Sequence, residues 1–271
     1  MLRDITLGQY YQTSSRLHRL DPRVKLIATF LYIISLFVFT NMTAYLVATL
    51  WLAIVIKLSK VPFRFMVKGL KPVMTILALT VICNMLFTKG TPIVTVWKIT
   101  VTYEGLVQAC YMIIRFVLLI VGSSVMTLTT TPNQLTDGLE ILLGPLNKLR
   151  IPVHEIAMMM AIALRFIPIL MEETDKIMKA QIARGADFEN GNLLKRVKAM
   201  LPILIPLFVS AFRRANDLAM AMEARCYRGG EGRSKMKPLI YKLEDKKALA
   251  CVVLYLVILV LCGITGNYLP M

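Results

Sequence analysis

Two arginines occupy nearly the same setting in this chain, in Ala183-Arg184-Gly185 and in Ala224-Arg225-Cys226. A guanidinium is a planar fork of donors that pairs bidentately with a carboxylate, and small neighbours let it approach another surface closely. The chemistry this suggests is recognition rather than bond making. No Ser/His or Cys/His arrangement and no pair of intramembrane carboxylates supports a catalytic residue. His18 and His154 stand alone in sequence. Cys83, Cys110, Cys226, Cys251 and Cys262 lack metal-ligand spacing, so no metal site is expected. The run Gly229-Gly230-Glu231-Gly232-Arg233-Ser234-Lys235 has glycines and a lysine without the order of a phosphate loop, and reads as a flexible basic loop. No cofactor is expected on this chain.

Each arginine closes a helical pattern. Ile167, Leu170, Met171, Thr174, Ile177, Met178 and Ile182 recur at spacings of three and four, with Glu172, Glu173, Asp175, Lys176 and Lys179 between them. Gly185 then supplies a residue suited to positive φ, which places Arg184 in the last turn. Phe208, Ala211, Phe212, Ala215, Ala219 and Met222 form the corresponding stripe ahead of Arg225. Two explanations of these cations stand. A charge in the last turn complements the helix dipole for about 0.3–1 kcal/mol, while the parallel contexts favour docking. Met158, Met159 and Met160, beside Ala157, Ala161 and Ala163, offer either ordinary helix packing or a soft surface that repacks against different partners.

The elements that must position these residues belong to a membrane protein. At 271 residues, 57% hydrophobic and a mean hydropathy of +0.65, the chain is too apolar for a soluble domain. A spanning helix needs roughly 20 mostly apolar residues. Five stretches come near that: Val24 to Thr40, Met42 to Leu58, Leu70 to Phe87, Gly105 to Thr130 and Ala248 to Gly266. The first 23 residues are polar and basic, with no apolar core of a signal peptide. The expected fold is an all-α polytopic membrane protein in three parts. Residues 1–130 form a membrane domain of four spans, 131–247 a cytoplasmic or interfacial set of amphipathic helices, and 248–271 a final span.

Within 131–247, the apolar runs Ile156 to Met171, interrupted by Arg165 and Pro168, and Ala199 to Phe212, with Pro202 and Pro206, fall short of a span. A spanning pair would also carry Lys195, Arg196 and Lys198 to the wrong face. The net charge of +16 follows from topology. With the N-terminus inside, only Lys89 and Lys98 of the 32 Lys and Arg fall outside and Arg115 falls in a span. That is the positive-inside pattern, with attraction to anionic headgroups as a by-product. No recognition fold or interleaved aromatic strip accompanies the charge, so nucleic acid is not an expected partner. Arg115 is the one formal charge deep in a span. An intramembrane cation is a functional candidate by default, and the structural reading, which is preferred, is that a long helix lets it snorkel or bond to protein carbonyls. All five spans lack Asp and Glu, which counts against a proton- or cation-coupled carrier. A self-sufficient transporter or channel and an intramembrane enzyme are the competing classes.

The two Ala-Arg-Gly-like triplets, the segment Ser15-Arg16-Leu17-His18-Arg19-Leu20-Asp21-Pro22-Arg23-Val24-Lys25-Leu26, and the order of four spans, basic helical domain and final span resemble the transmembrane coupling (T) component of energy-coupling factor transporters, of EcfT/CbiQ type. The resemblance implies a non-catalytic subunit in the cell membrane of a prokaryote. It would hold two cytoplasmic ABC-type ATPases, which carry ATP and Mg, and one or several interchangeable substrate-binding S components for a vitamin or related micronutrient. A dedicated cobalt or nickel importer is the near alternative. Carried onto this sequence, Arg184 and Arg225 would dock into grooves of the two ATPases, one helix end each. Cys226 departs from the family pattern by standing where glycine is expected.

Overall fold

A computed structural model describes residues 10–39, 41–88, 91–96, 99–186, 188, 193–230, 236 and 238–266. Helices α1 (Pro22–Val38), α2 (Met42–Ser59), α3 (Phe63–Lys68) and α4 (Met74–Phe87) lead to two short antiparallel strands, β1 (Pro92–Val96) and β2 (Ile99–Thr102). Helices α5 (Tyr103–Thr129), α6 (Pro132–Leu143), α7 (Val153–Ala183), α8 (Leu193–Ala224) and α9 (Leu243–Gly266) follow, with a 3-10 turn at Gly144–Leu149. Two compact units form: Gly8–Gly138 with Leu239–Met271, and Leu139–Pro238.

Among the described residues, α2, α5, α7 and the Leu243–Ile264 part of α9 are long and apolar enough to cross a membrane. Three of these coincide with expected spans. Of the other two expected spans, α1 keeps the expected 17 residues but lies two positions earlier, and α4 is shortened to 14 because Leu70–Val73 form turns ahead of it. The interval expected to hold short broken runs contains helices of 31 and 32 residues that continue through Pro168, Pro202 and Pro206. A proline removes one backbone donor and kinks a helix without ending it where good helix formers continue on both sides. The expectation that Ile156 to Met171 is too short to span is therefore corrected by length, although α7 carries a dense set of charges in its second half.

The first unit is built on α1, α2, α5 and α9. Ala44, Ala48 and Leu52 place a small-residue face of α2 in the core, which allows close helix approach. α9 packs on α1 and α2. Its Tyr255 stacks on Trp51 at 5.0 Å and exchanges a hydrogen bond of 3.0 Å with Ser35. Arg115 sits over Tyr45 and Phe37 and donates from Nε to the Tyr45 hydroxyl at 2.8 Å. This is the structural reading of that cation, met by a phenol oxygen rather than a carbonyl.

The helix starts are fastened together. Asp21 caps α1 by accepting from the Arg23 N–H at 2.9 Å, with Pro22 in the first turn. The Asp21 N–H donates to the Asp245 carboxylate at 2.7 Å, and the same carboxylate accepts from the Lys242 N–H at 2.8 Å. Arg23 donates to the Leu239 carbonyl and covers the Tyr241 ring, while Lys25 donates to the Thr129 carbonyl at 2.9 Å. His18 bonds to Ser15 and to the Tyr11 carbonyl, and burial holds its pKa below the usual histidine value. The segment that carries the resemblance thus ties α1 to α5 and α9.

Candidate docking site

Both arginines end their helices in the same way. α7 stops at Ala183 and Arg184 is its C-cap. Gly185 has φ +86°, its N–H donates to the Ile182 carbonyl at 2.9 Å, and the Ala186 N–H donates to the Gln181 carbonyl at 3.0 Å. At the end of α8, Cys226 has φ +57°, its N–H donates to Glu223 at 2.8 Å, and the Tyr227 N–H donates to Met222 at 3.0 Å. These are two copies of one Schellman motif, with arginine at the C-cap each time. Cys226, standing where glycine is expected, forms the same turn with its backbone in the left-handed region.

A side chain there costs about 1–2 kcal/mol relative to glycine. Replacing Cys226 with glycine is therefore expected to tighten the turn by about 1 kcal/mol, slowing amide exchange at 226 and 227 on the order of fivefold.

The α8 end is braced further by glycines. Gly229 has φ +94°. Gly230 lies so close to α7 that a Cβ would stand 2.2 Å from Cδ2 of His154, whose Nδ1 pairs with Glu140 at 2.9 Å. His154 stands alone in sequence, and its partner, 14 residues away, gives no local signal. Gly230→Val is expected to displace the imidazole, cost about 1–3 kcal/mol locally, and raise tryptic cleavage after Arg225 and Arg228 severalfold.

α7 and α8 run antiparallel. Midway along α7, Glu173 accepts from Ser210 at 2.5 Å and from Arg214 at 3.0 Å. Near its start, Met158 lines a cavity of about 380 Å³ with Met222, Arg225 and Tyr227 of the α8 end. Arg225 thus lies near the first turns of α7 and Arg184 at its last, about 26 residues apart, roughly 40 Å along the helix.

Both arginines and Ala183, Gly185, Ala224 and Cys226 are exposed, and among the described residues neither arginine makes an ion pair within the chain. The α7 stripe is half-buried except for Ile182, which is exposed. The α8 stripe is divided: Ala211 and Met222 are half-buried, and Phe208, Phe212, Ala215 and Ala219 are exposed. Ala199, Ile203, Leu207, Ser210, Ala211, Arg214, Leu218 and Met222 are the less exposed positions of α8, and the rings of Phe208 and Phe212 meet at 4.7 Å, tilted by 52°, while 65% and 59% exposed. Two of these less exposed positions, Ser210 and Arg214, are the ones that bond to Glu173. The methionine run is split too: Met159 is 58% exposed while Met158 and Met160 are half-buried.

The family model described as cobalt transport protein, CbiQ, matches residues 13–238, which include both capped ends. An energy-coupling factor transporter transmembrane protein EcfT of Clostridium kluyveri is 51% identical over 266 residues, covering 97% of this chain and 98% of its own length. This chain belongs to that family. Equally named proteins of Ruminiclostridium cellulolyticum and Bacillus subtilis are 53% and 49% identical over 245 and 254 residues, covering 90% and 93% of this chain and 92% and 96% of their own lengths. The T component is thus a multi-pass, all-α membrane protein and a non-catalytic subunit of an energy-coupling factor transporter. No group of three or more His, Cys, Asp and Glu suited to a metal is present among the described residues.

Proposed function

We propose that this T component is the membrane scaffold and energy-coupling subunit of an ATP-driven importer. It would link two cytoplasmic ABC-type ATPases to a substrate-binding S component that takes up a vitamin or related micronutrient. The observation that carries this reading is the pair of identical arginine-capped ends at opposite ends of one antiparallel helix pair. Two exposed guanidiniums so far apart suit two separate subunits, each offering a carboxylate that accepts the fork bidentately. ATP and Mg belong to those ATPases. Closure of the ATPases displaces the two helix ends, and the α7–α8 pair passes the movement to the S component.

In this reading the N-terminus is cytoplasmic, the protein lies in the cell membrane of a prokaryote, and residues 131–247 form the coupling domain at the cytoplasmic face. The charge asymmetry supports that orientation, and Glu172, Glu173, Asp175, Lys176 and Lys179 favour an interfacial course for the second half of α7. The exposed Phe208 and Phe212 face, with Met159, offers the apolar surface an S component or the bilayer would cover. Affinity purification of the intact chain from its native membrane tests the reading. Two ATPases with several small membrane proteins support a shared vitamin system, and a single membrane partner supports the cobalt or nickel alternative that the family description favours. Recovery without ATPases, together with transport by the chain alone in liposomes, contradicts both.

A further inference from the structure

A cavity of about 560 Å³ lies among α1, α2, α5 and α9. All four helices bring the same end to it: α1 and α9 begin there, and α2 and α5 finish there. At that end the wall carries Arg16, Lys25 and Lys247 against one carboxylate, Glu244. Lys25 is committed to backbone carbonyls, whereas Arg16 and Lys247 are exposed and make no ion pair among the described residues.

Farther in, the wall is apolar, with Trp51, Leu52, Val125 and Val252. From Lys25 to Tyr32 this covers roughly 10 Å of helix.

Tyr32, like Thr29 one turn before it, is a polar exception in the apolar wall. It is 5% exposed, and its buried hydroxyl has no hydrogen-bond partner among the described residues. Such a group costs about 1–3 kcal/mol unless a partner arrives. Gly122 gives the ring its place, since a Cβ there would stand 2.5 Å from Tyr32 Cε1. Helical side chains lean toward the helix start, so this hydroxyl is carried toward the basic mouth.

We propose that the cavity is a binding site for one anionic phospholipid. Its phosphate lies between Arg16 and Lys247, an ester oxygen accepts from the Tyr32 hydroxyl, and an acyl chain fills the slot beside Trp51. Basic pockets between membrane helices select anionic headgroups, and the bilayer supplies the chain. The inference rests on the membrane location and is independent of the ATPase docking reading.

Trp51 is one of two tryptophans, so Trp97→Phe leaves it as the only fluorophore of its kind. The full chain is reconstituted in phosphatidylcholine vesicles with rising fractions of dibrominated phosphatidylglycerol or phosphatidylethanolamine. Quenching is expected to saturate, with the midpoint for phosphatidylglycerol roughly five- to tenfold lower. Arg16→Gln with Lys247→Gln, both at exposed positions, is expected to bring the midpoints together. Ala28→Phe, which fills the slot, should remove the saturable component. Equal midpoints in the parent, a preference that survives the glutamine pair, or quenching proportional to bulk lipid in every variant overturns the proposal.

Discussion

Replacing Arg184 and Arg225 together by glutamate is expected to abolish association with the ATPases and reduce ATP-driven uptake to background, while insertion and folding of the chain persist. The magnitudes separate the two effects. Each arginine is exposed and makes no ion pair among the described residues, so within them its removal forfeits only the dipole contribution of about 0.3–1 kcal/mol. At an interface a bidentate arginine is a hot spot worth on the order of 2–4 kcal/mol, and reversal adds repulsion against the acceptor. Loss at both ends lowers affinity more than a thousandfold. Single reversals are expected to be milder, with each ATPase contact failing separately unless the ends are coupled through α7 and α8. Pull-down of the ATPases and uptake in reconstituted vesicles read the effect, and folded yield in detergent reads the control. Unchanged uptake by the double variant contradicts the docking role.

Asp245→Ala is expected to produce the largest loss of stability in the first unit. Its carboxylate is 2% exposed and holds the Asp21 N–H from 224 residues away together with the Lys242 N–H at the start of its own helix. Alanine strands both donors and unfastens α9 from the cap of α1. Two charge-assisted bonds of this kind amount to about 3 kcal/mol or more. That corresponds to a fall in melting temperature of roughly 5–10 °C in detergent. Asp245→Asn keeps one acceptor and is expected to lose about half as much, and Lys246→Ala, at an exposed neighbour, close to nothing. An alanine variant that melts with the parent rules out the clasp as a stabilising element.

What was legible in the sequence was what depends on near neighbours. α5 was readable because one long apolar run, interrupted by Arg115 alone among charges after Glu104, follows a Thr102 cap, and its expected Gly105 to Thr130 bounds differ from Tyr103–Thr129 by two residues or fewer. The two helix ends were readable because a small residue follows each arginine, and the residue that raised a question, Cys226, is the one forced into the left-handed region.

The strands β1 and β2 were not among the expected elements, although Ile93, Val94, Thr95 and Val96 are β-branched in succession. Clasps between distant residues leave no periodic trace. Asp245 with Asp21, Glu140 with His154 and Arg115 with Tyr45 each join elements that only the fold brings together. The apolar stripe of α8 is legible in the sequence, but which of its residues pack is not: Ala211 and Met222 are half-buried while Phe208, Phe212, Ala215 and Ala219 are exposed, and Ser210 and Arg214 bond to Glu173 of α7.

Cross-linking from the helix ends tests the central claim most directly. A photoreactive residue at Ala183 or Ala224 leaves both arginines in place, and both positions are exposed. In native membranes, illumination is predicted to join each position to an ATPase subunit, and Arg184→Glu or Arg225→Glu to erase the product at its own end. Adducts confined to lipid or to other membrane proteins at both positions, or ATPase adducts indifferent to the arginines, would contradict the account.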